Sequence, residues 1–119
     1  MERRYELLAD REVTRILTDF LKGSLSEHKF KERLHVSPSG GLEVYEYIRG
    51  EEILSLSLDD SVGSQSETKL TLESETEVTD FYPIISEAIV NFHLACTKKM
   101  ISSIPDKAER RRLMDELMG

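Results

Sequence analysis

Metal ligation needs imidazole or thiolate, and this sequence offers four such groups: His28, His35, His93 and Cys96. His93 and Cys96 stand three residues apart, so on a helix they share a face and can grip one ion. A tetrahedral zinc site would then have to recruit His28 and His35. Those two are two helical turns apart, about 10 Å along one helix, which is long for a single zinc. Cys96 also falls inside an apolar stripe, where a thiol packs as a small hydrophobe. The Asp59-Asp60-Ser61 stretch lacks the glycine and the distant glutamate of a calcium loop. No metal and no other cofactor is expected.

Catalytic signatures are equally sparse. There is no G-x-S-x-G elbow, no phosphate-cradling Walker-type loop and no H-E-x-x-H pair. Gly40-Gly41 precedes a strand pattern rather than a helix, so it lacks the orphan N–H groups that hold phosphate. With 23 carboxylates, neighbours such as Glu51-Glu52 and Asp59-Asp60 arise by chance. Nothing marks one of them for the burial that general-acid chemistry at neutral pH requires. No catalytic residue is assigned.

Tyr45, Tyr47 and Arg49 form a more specific pattern. Alternate residues of a strand point the same way, so two rings and a guanidinium share one face. Leu42, Val44 and Ile48 then line the other face and are expected in the core. An exposed Tyr-Tyr-Arg face could stack on a protein partner, on bases, or simply on its own cross-strand neighbours. Arg110-Arg111-Arg112 resembles a basic motif, but three consecutive helical residues fan through about 200° and make no single patch.

Charge separates those options. Residues 36–82 hold 2 basic and 11 acidic side chains, whereas the flanking segments are close to neutral, and the whole chain carries −7. Such a field repels phosphate backbones, so nucleic acid is not expected as a partner. It suits a basic protein partner, or it keeps a sheet wet and its edges from aggregating.

The elements that must position these residues follow from periodicity. Tyr5, Leu8, Ala9, Val13, Ile16, Leu17, Phe20 and Leu21 recur at helical spacing, which predicts a helix over about 3–22 stopped by Gly23. Ser24 with Glu27 predicts a second, shorter helix to Leu34. Ser37 to Gly41 reads as a loop. Residues 42–48, 53–58 and 70–73 alternate as strands, with a polar loop from Asp59 to Thr68. Asp80 predicts the start of a long helix to about Ser103. Ser103 with Asp106 then restarts the chain as a fourth helix carrying Leu113 and Leu117. The expected fold is α+β: one domain, 1–119, with a three-stranded antiparallel meander packed on one face by helices in the order α-α-β-β-β-α-α. Leu54, Leu56, Leu58, Leu70 and Leu72 should bury against Ile85, Ile89, Phe92 and Met100.

The long helix has a second apolar stripe, Val90, Leu94 and Ile101. A surface helix normally has one. The second packs on the fourth helix or on another copy, so a homodimer is one expectation.

No apolar run exceeds three residues, and the single Cys forms no internal disulfide. Acids interrupt the basic N-terminal residues, so no signal peptide is read. A cytoplasmic protein away from membranes is expected. No family is recognised from its residues. Small acidic α+β proteins include dimeric chaperones that hold secretion substrates, an analogy of fold and composition that no residue motif carries. The leading expectation is a non-enzymatic adaptor or chaperone-like interaction domain acting through a sheet face or helix surface. The alternative is a small enzyme or ligand-binding domain without a recognisable motif.

Overall fold

A computed structural model describes residues 3–119, the side chains of 37–39 excepted. Met1 and Glu2, part of the N-terminal signal reading, lie outside the described residues. The fold is α+β, but its sheet has five strands rather than three. The chain runs β1 (Arg4–Asp10), α1 (Arg11–Glu27), β2 (Lys31–Ser39), β3 (Leu42–Arg49), β4 (Glu52–Asp59), β5 (Glu67–Ser74), α2 (Phe81–Ser102) and α3 (Lys107–Met118). The sheet order is β1-β5-β4-β3-β2, antiparallel throughout.

The expected first helix is therefore a strand followed at once by a helix. In β1, Tyr5, Leu7 and Ala9 are half-buried while Arg4, Glu6, Leu8 and Asp10 are exposed, the alternation of a strand. Asp10 ends it and caps α1, its carboxylate accepting from the N–H of Glu12 and Val13. Gly23 does not stop the helix. Leu25 is buried and Ser24 Oγ donates to the Ile84 carbonyl at 2.7 Å, and this burial outweighs the roughly 1 kcal/mol a helical glycine costs.

The real stop is Lys29, at φ 72°. Phe30 N–H donates to Leu25 O and Lys29 N–H to Ser26 O, while Leu25 and Phe30 are both buried. That is a Schellman closure with a lysine in the left-handed position usually taken by glycine. It turns the chain directly into β2, where a helix to Leu34 was expected.

α1 and α2 cover one face of the sheet. Leu54, Leu56, Leu58, Leu70 and Leu72 are buried there, as expected, with Leu17, Leu21, Leu25, Phe81, Ile84 and Ile85. Phe92 packs at the margin, edge-on to Phe20 with ring centroids 6.0 Å apart. Ile89 and Met100 are not core: Met100 is 71% exposed. The radius of gyration is 16.7 Å, against about 13.5 Å for a compact domain of this length. The distal half of α2 and all of α3 account for the excess, since Ile101 is the one buried residue among them. α3 is capped by Asp106, whose carboxylate accepts from Ala108 and Glu109 N–H, rather than by Ser103.

Candidate functional site

Register decides which side of each strand meets the helices. Tyr45 lies opposite Leu56 and Tyr47 opposite Leu54, so both tyrosines share the helix-covered face with the leucine core. Tyr45 is 8% exposed and Tyr47 5%. The expected assignment of β3 is thus reversed: Leu42 is exposed, and Val44 and Ile48 are half-buried on the opposite side. The tyrosines go inside because their hydroxyls still reach the rim. Tyr45 OH donates to Glu43 at 2.7 Å and Tyr47 OH points at Glu32 at 3.5 Å. Lys22 lies 3.7 Å from the Tyr45 ring centroid, and His35 stacks on that ring at 4.2 Å. Burial pushes both phenol pKa values up. No exposed ring pair stands on this strand to stack on a partner.

Arg49, the third member, closes the end of the same face. It donates to both oxygens of Asp80 at 2.8 Å, to Glu52 at 2.8 and 3.0 Å and to the His28 carbonyl, with its guanidinium carbon 4.3 Å from the Phe30 ring centroid. Asp80 is the residue before α2, but its carboxylate serves Arg49 instead of capping. The guanidinium holds the Asp80 carboxyl far below the ordinary carboxylate range, and Asp80 and Glu52 push the guanidinium still higher. His28, the residue after α1, places Nδ1 2.8 Å from Asp80 and Nε2 2.8 Å from Glu87. Both nitrogens facing carboxylates calls for the doubly protonated ring. The Glu87 hydrogen bond, reinforced by Asp80, raises its pKa. His28, Asp80 and Glu87 are the residues that sequence reasoning missed as a group. The cluster clasps α1, β3 and α2 together, and its carboxylates are all committed to cations.

The other singled-out groups are dispersed. His93 and Cys96 are exposed on α2, far in sequence and in element from His28 and His35, and no group of three metal-ligating side chains forms among the described residues. Of the second α2 stripe, Ile101 is 8% exposed beside Met114 and Arg110 of α3, Leu94 is half-buried, and Val90 remains 62% exposed. α3 therefore covers the distal part of that stripe within one chain.

No protein-family model matches this chain, and neither does any curated protein.

What the fold leaves open is the far side of the sheet. Leu34 and Val36 of β2, Val44 and Ile48 of β3 and Ile53 of β4 occupy it as neighbours: Val36 pairs with Val44, and Ile48 with Ile53. Leu34 is 50% exposed and Val36 46%. Toward β5 and β1 this face becomes polar. Ser55, Ser57 and Thr71 lead to the ion pairs Arg4–Glu6, Arg4–Glu73 and Lys69–Glu6. In the middle of this group, between Val44 and Ile48 and opposite Leu34, stands Glu46, paired with Arg33. On the covered side, a surface groove of about 250 Å³ between α1 and β3 is lined by Arg15, Asp19, Lys22, Glu43 and Tyr45.

Proposed function

We propose that this chain is a non-enzymatic, cytoplasmic protein-interaction domain, adaptor or chaperone-like, that holds a partner segment on the uncovered face of its sheet. The observation that supports this reading is the group of apolar side chains Leu34, Val36, Val44, Ile48 and Ile53, set around the Arg33-paired Glu46 on a face that no helix covers. Clustered apolar side chains left on a surface mark contact sites more often than scattered ones. Docking onto the face is favoured over strand addition at the β2 edge. Register shifts at Glu32/Leu34 and Val36/Ser39 break the regular ladder that an added strand would copy.

The partner's chemistry follows from the surroundings. It carries apolar residues for the patch and basic residues beside them, because Glu51, Glu75 and Glu77 are exposed at the near end of the sheet. Nucleic acid does not fit, since 36–82 is strongly acidic and the tyrosines that would stack are buried.

Panning a random peptide library against the immobilised protein tests this. Enriched peptides should combine aliphatic or aromatic residues with Lys or Arg. They should be lost on Leu34→Asp/Val36→Asp, two exposed positions whose replacement spares the core. Failure to enrich, or enrichment indifferent to the double substitution, overturns the proposal.

A further inference from the structure

β1 is one edge of the sheet: it pairs with β5 on one side, and no strand lies beyond it. Its ladder with β5 is unbroken from Arg4 opposite Glu73 to Asp10 opposite Glu67. The other edge, β2, is interrupted by two register shifts. The bonds that flank β1 fix which of its groups point outward. Ser74 N–H donates to the Arg3 carbonyl at 2.9 Å and Arg11 N–H to the Ser66 carbonyl at 2.8 Å. Antiparallel bonding alternates along a strand, so Tyr5, Leu7 and Ala9 also turn their main-chain groups to β5. The N–H and C=O of Glu6 and Leu8 therefore face away from the sheet. A regular edge with such groups exposed is a template for another strand.

We infer that β1 pairs antiparallel with β1 of a second copy, about a twofold axis at Leu7, joining the two sheets edge to edge. The side chains that this strand sets opposite its own copy select the occupant. Directly paired residues share a face of the sheet, so the registers that pair most of β1 centre on Glu6, Leu7 or Leu8. Centring on Glu6 opposes two Glu6 carboxylates, and centring on Leu8 opposes Glu6 to Asp10; both set like charges against each other. Centring on Leu7 opposes Arg4 to Asp10 at each end of the contact. It also sets Tyr5 against Ala9, a large residue against a small one, and Leu7 against Leu7. Charge and size thus agree on one register.

The end groups are available for it. Asp10 caps α1 through Oδ1 alone, which leaves Oδ2 for a cation. Arg4 is half-exposed and meets Glu6 through Nε and Glu73 through Nη1, which leaves Nη2 for Asp10 of the second copy. Glu6 stands opposite Leu8 there, and its own charge is met by Arg4 and Lys69. Glu6 and Leu8 exchange about four main-chain hydrogen bonds across the axis. Copies carrying −7 repel each other in general, and this contact gains an opposite-charge pair at both ends. The product is one continuous sheet with the helices of both copies on one side and both uncovered faces on the other. The contact is independent of the sheet-face reading, and either can fail alone.

Light scattering coupled to gel filtration should give twice 13.7 kDa at tens of micromolar. Leu8→Pro deletes an outward N–H that β5 does not use, and an edge strand tolerates proline. It should restore the monomer mass with an unchanged circular dichroism spectrum. Arg4→Glu, at an exposed position, sets like charges at both ends and should weaken the dimer about tenfold. It reads the same contact where Leu8→Pro disturbs the fold. Leu7→Cys, in a Cys96→Ser background, should form a disulfide with its own copy under mild oxidation, because the α-carbons of this pair lie about 4.5 Å apart. A wild-type monomer overturns the inference. So does a dimer that survives Leu8→Pro, one that Arg4→Glu leaves at wild-type strength, or one that Leu7→Cys fails to lock.

Discussion

Asp80 accepts a hydrogen bond from the Arg49 guanidinium on each of its two oxygens, both at 2.8 Å. This bidentate pair fixes the end of β3 to the residue that precedes α2. The pair is about three-quarters buried, so its loss leaves a poorly solvated carboxylate. Arg49→Met keeps the stem over Phe30 and removes the charge. It should cost about 2 kcal/mol in chemical denaturation. An unchanged midpoint would show that the clasp contributes nothing to stability.

The same clasp makes stability depend on pH. His28 faces Asp80 and Glu87, with Arg49 also on Asp80, and its folded-state pKa is raised above the ordinary histidine value. The folded state therefore holds the proton more tightly than the unfolded chain. This contribution is complete below a pH of about 6.5 and is lost as pH rises through the raised value. Urea midpoints should fall across that window in the wild type and stay flatter in His28→Gln. Parallel profiles in the two proteins would contradict the assignment.

Lys29 sits at φ 72° with its side chain exposed. A β-carbon in that conformation costs about 1 kcal/mol, which glycine avoids. Lys29→Gly should raise stability by up to about that amount, offset in part by the freer unfolded chain. A loss measured by thermal unfolding would show that the lysine side chain itself holds the turn.

The inward face of β3 has an equally direct test. Tyr47→Ala empties a core position and should cost about 3–5 kcal/mol, whereas Val44→Ala on the open face should cost about 1 kcal/mol or less. Equal costs would mean the strand faces are misassigned. The wild type should show no binding to mixed single-stranded oligonucleotides by fluorescence anisotropy near physiological salt, because no exposed ring pair stands on β3. Micromolar affinity abolished by Tyr47→Ala would overturn that.

The sequence carried the elements whose pattern is local and lost those set by partners distant in the chain. β4 alternates leucine and serine, and its buried set was legible at once. The start of α2 was legible from Asp80 and the apolar residues that follow. β1 was not, because Asp10 ends the strand and caps α1 with no intervening loop. Leu8 and Ala9 thus extend the helical period of Val13, Ile16 and Leu17 backwards. β2 is an exposed edge strand, so Lys31 to Val36 shows no burial alternation to read. In β3 the period of two was visible, but both sets of residues are apolar enough to face a core. Only cross-strand registry with Leu54 and Leu56 puts the tyrosines inside. The open patch inherited that error, since Val44 and Ile48 were expected to be the buried set. The clasp was invisible because His28, Arg49 and Asp80 converge from three separate elements.

Methyl NMR on the Ile/Leu/Val-labelled protein tests the sheet-face reading most directly, by titration with the most enriched panning peptide. Binding on the uncovered face predicts shifts concentrated in Leu34, Val36, Val44, Ile48 and Ile53. Core methyls such as Leu56 and the α2 methyls of Ile89 and Val90 should stay in place. Shifts confined to α2, or a spectrum unmoved at saturating peptide, would contradict the assignment of this face as the partner site.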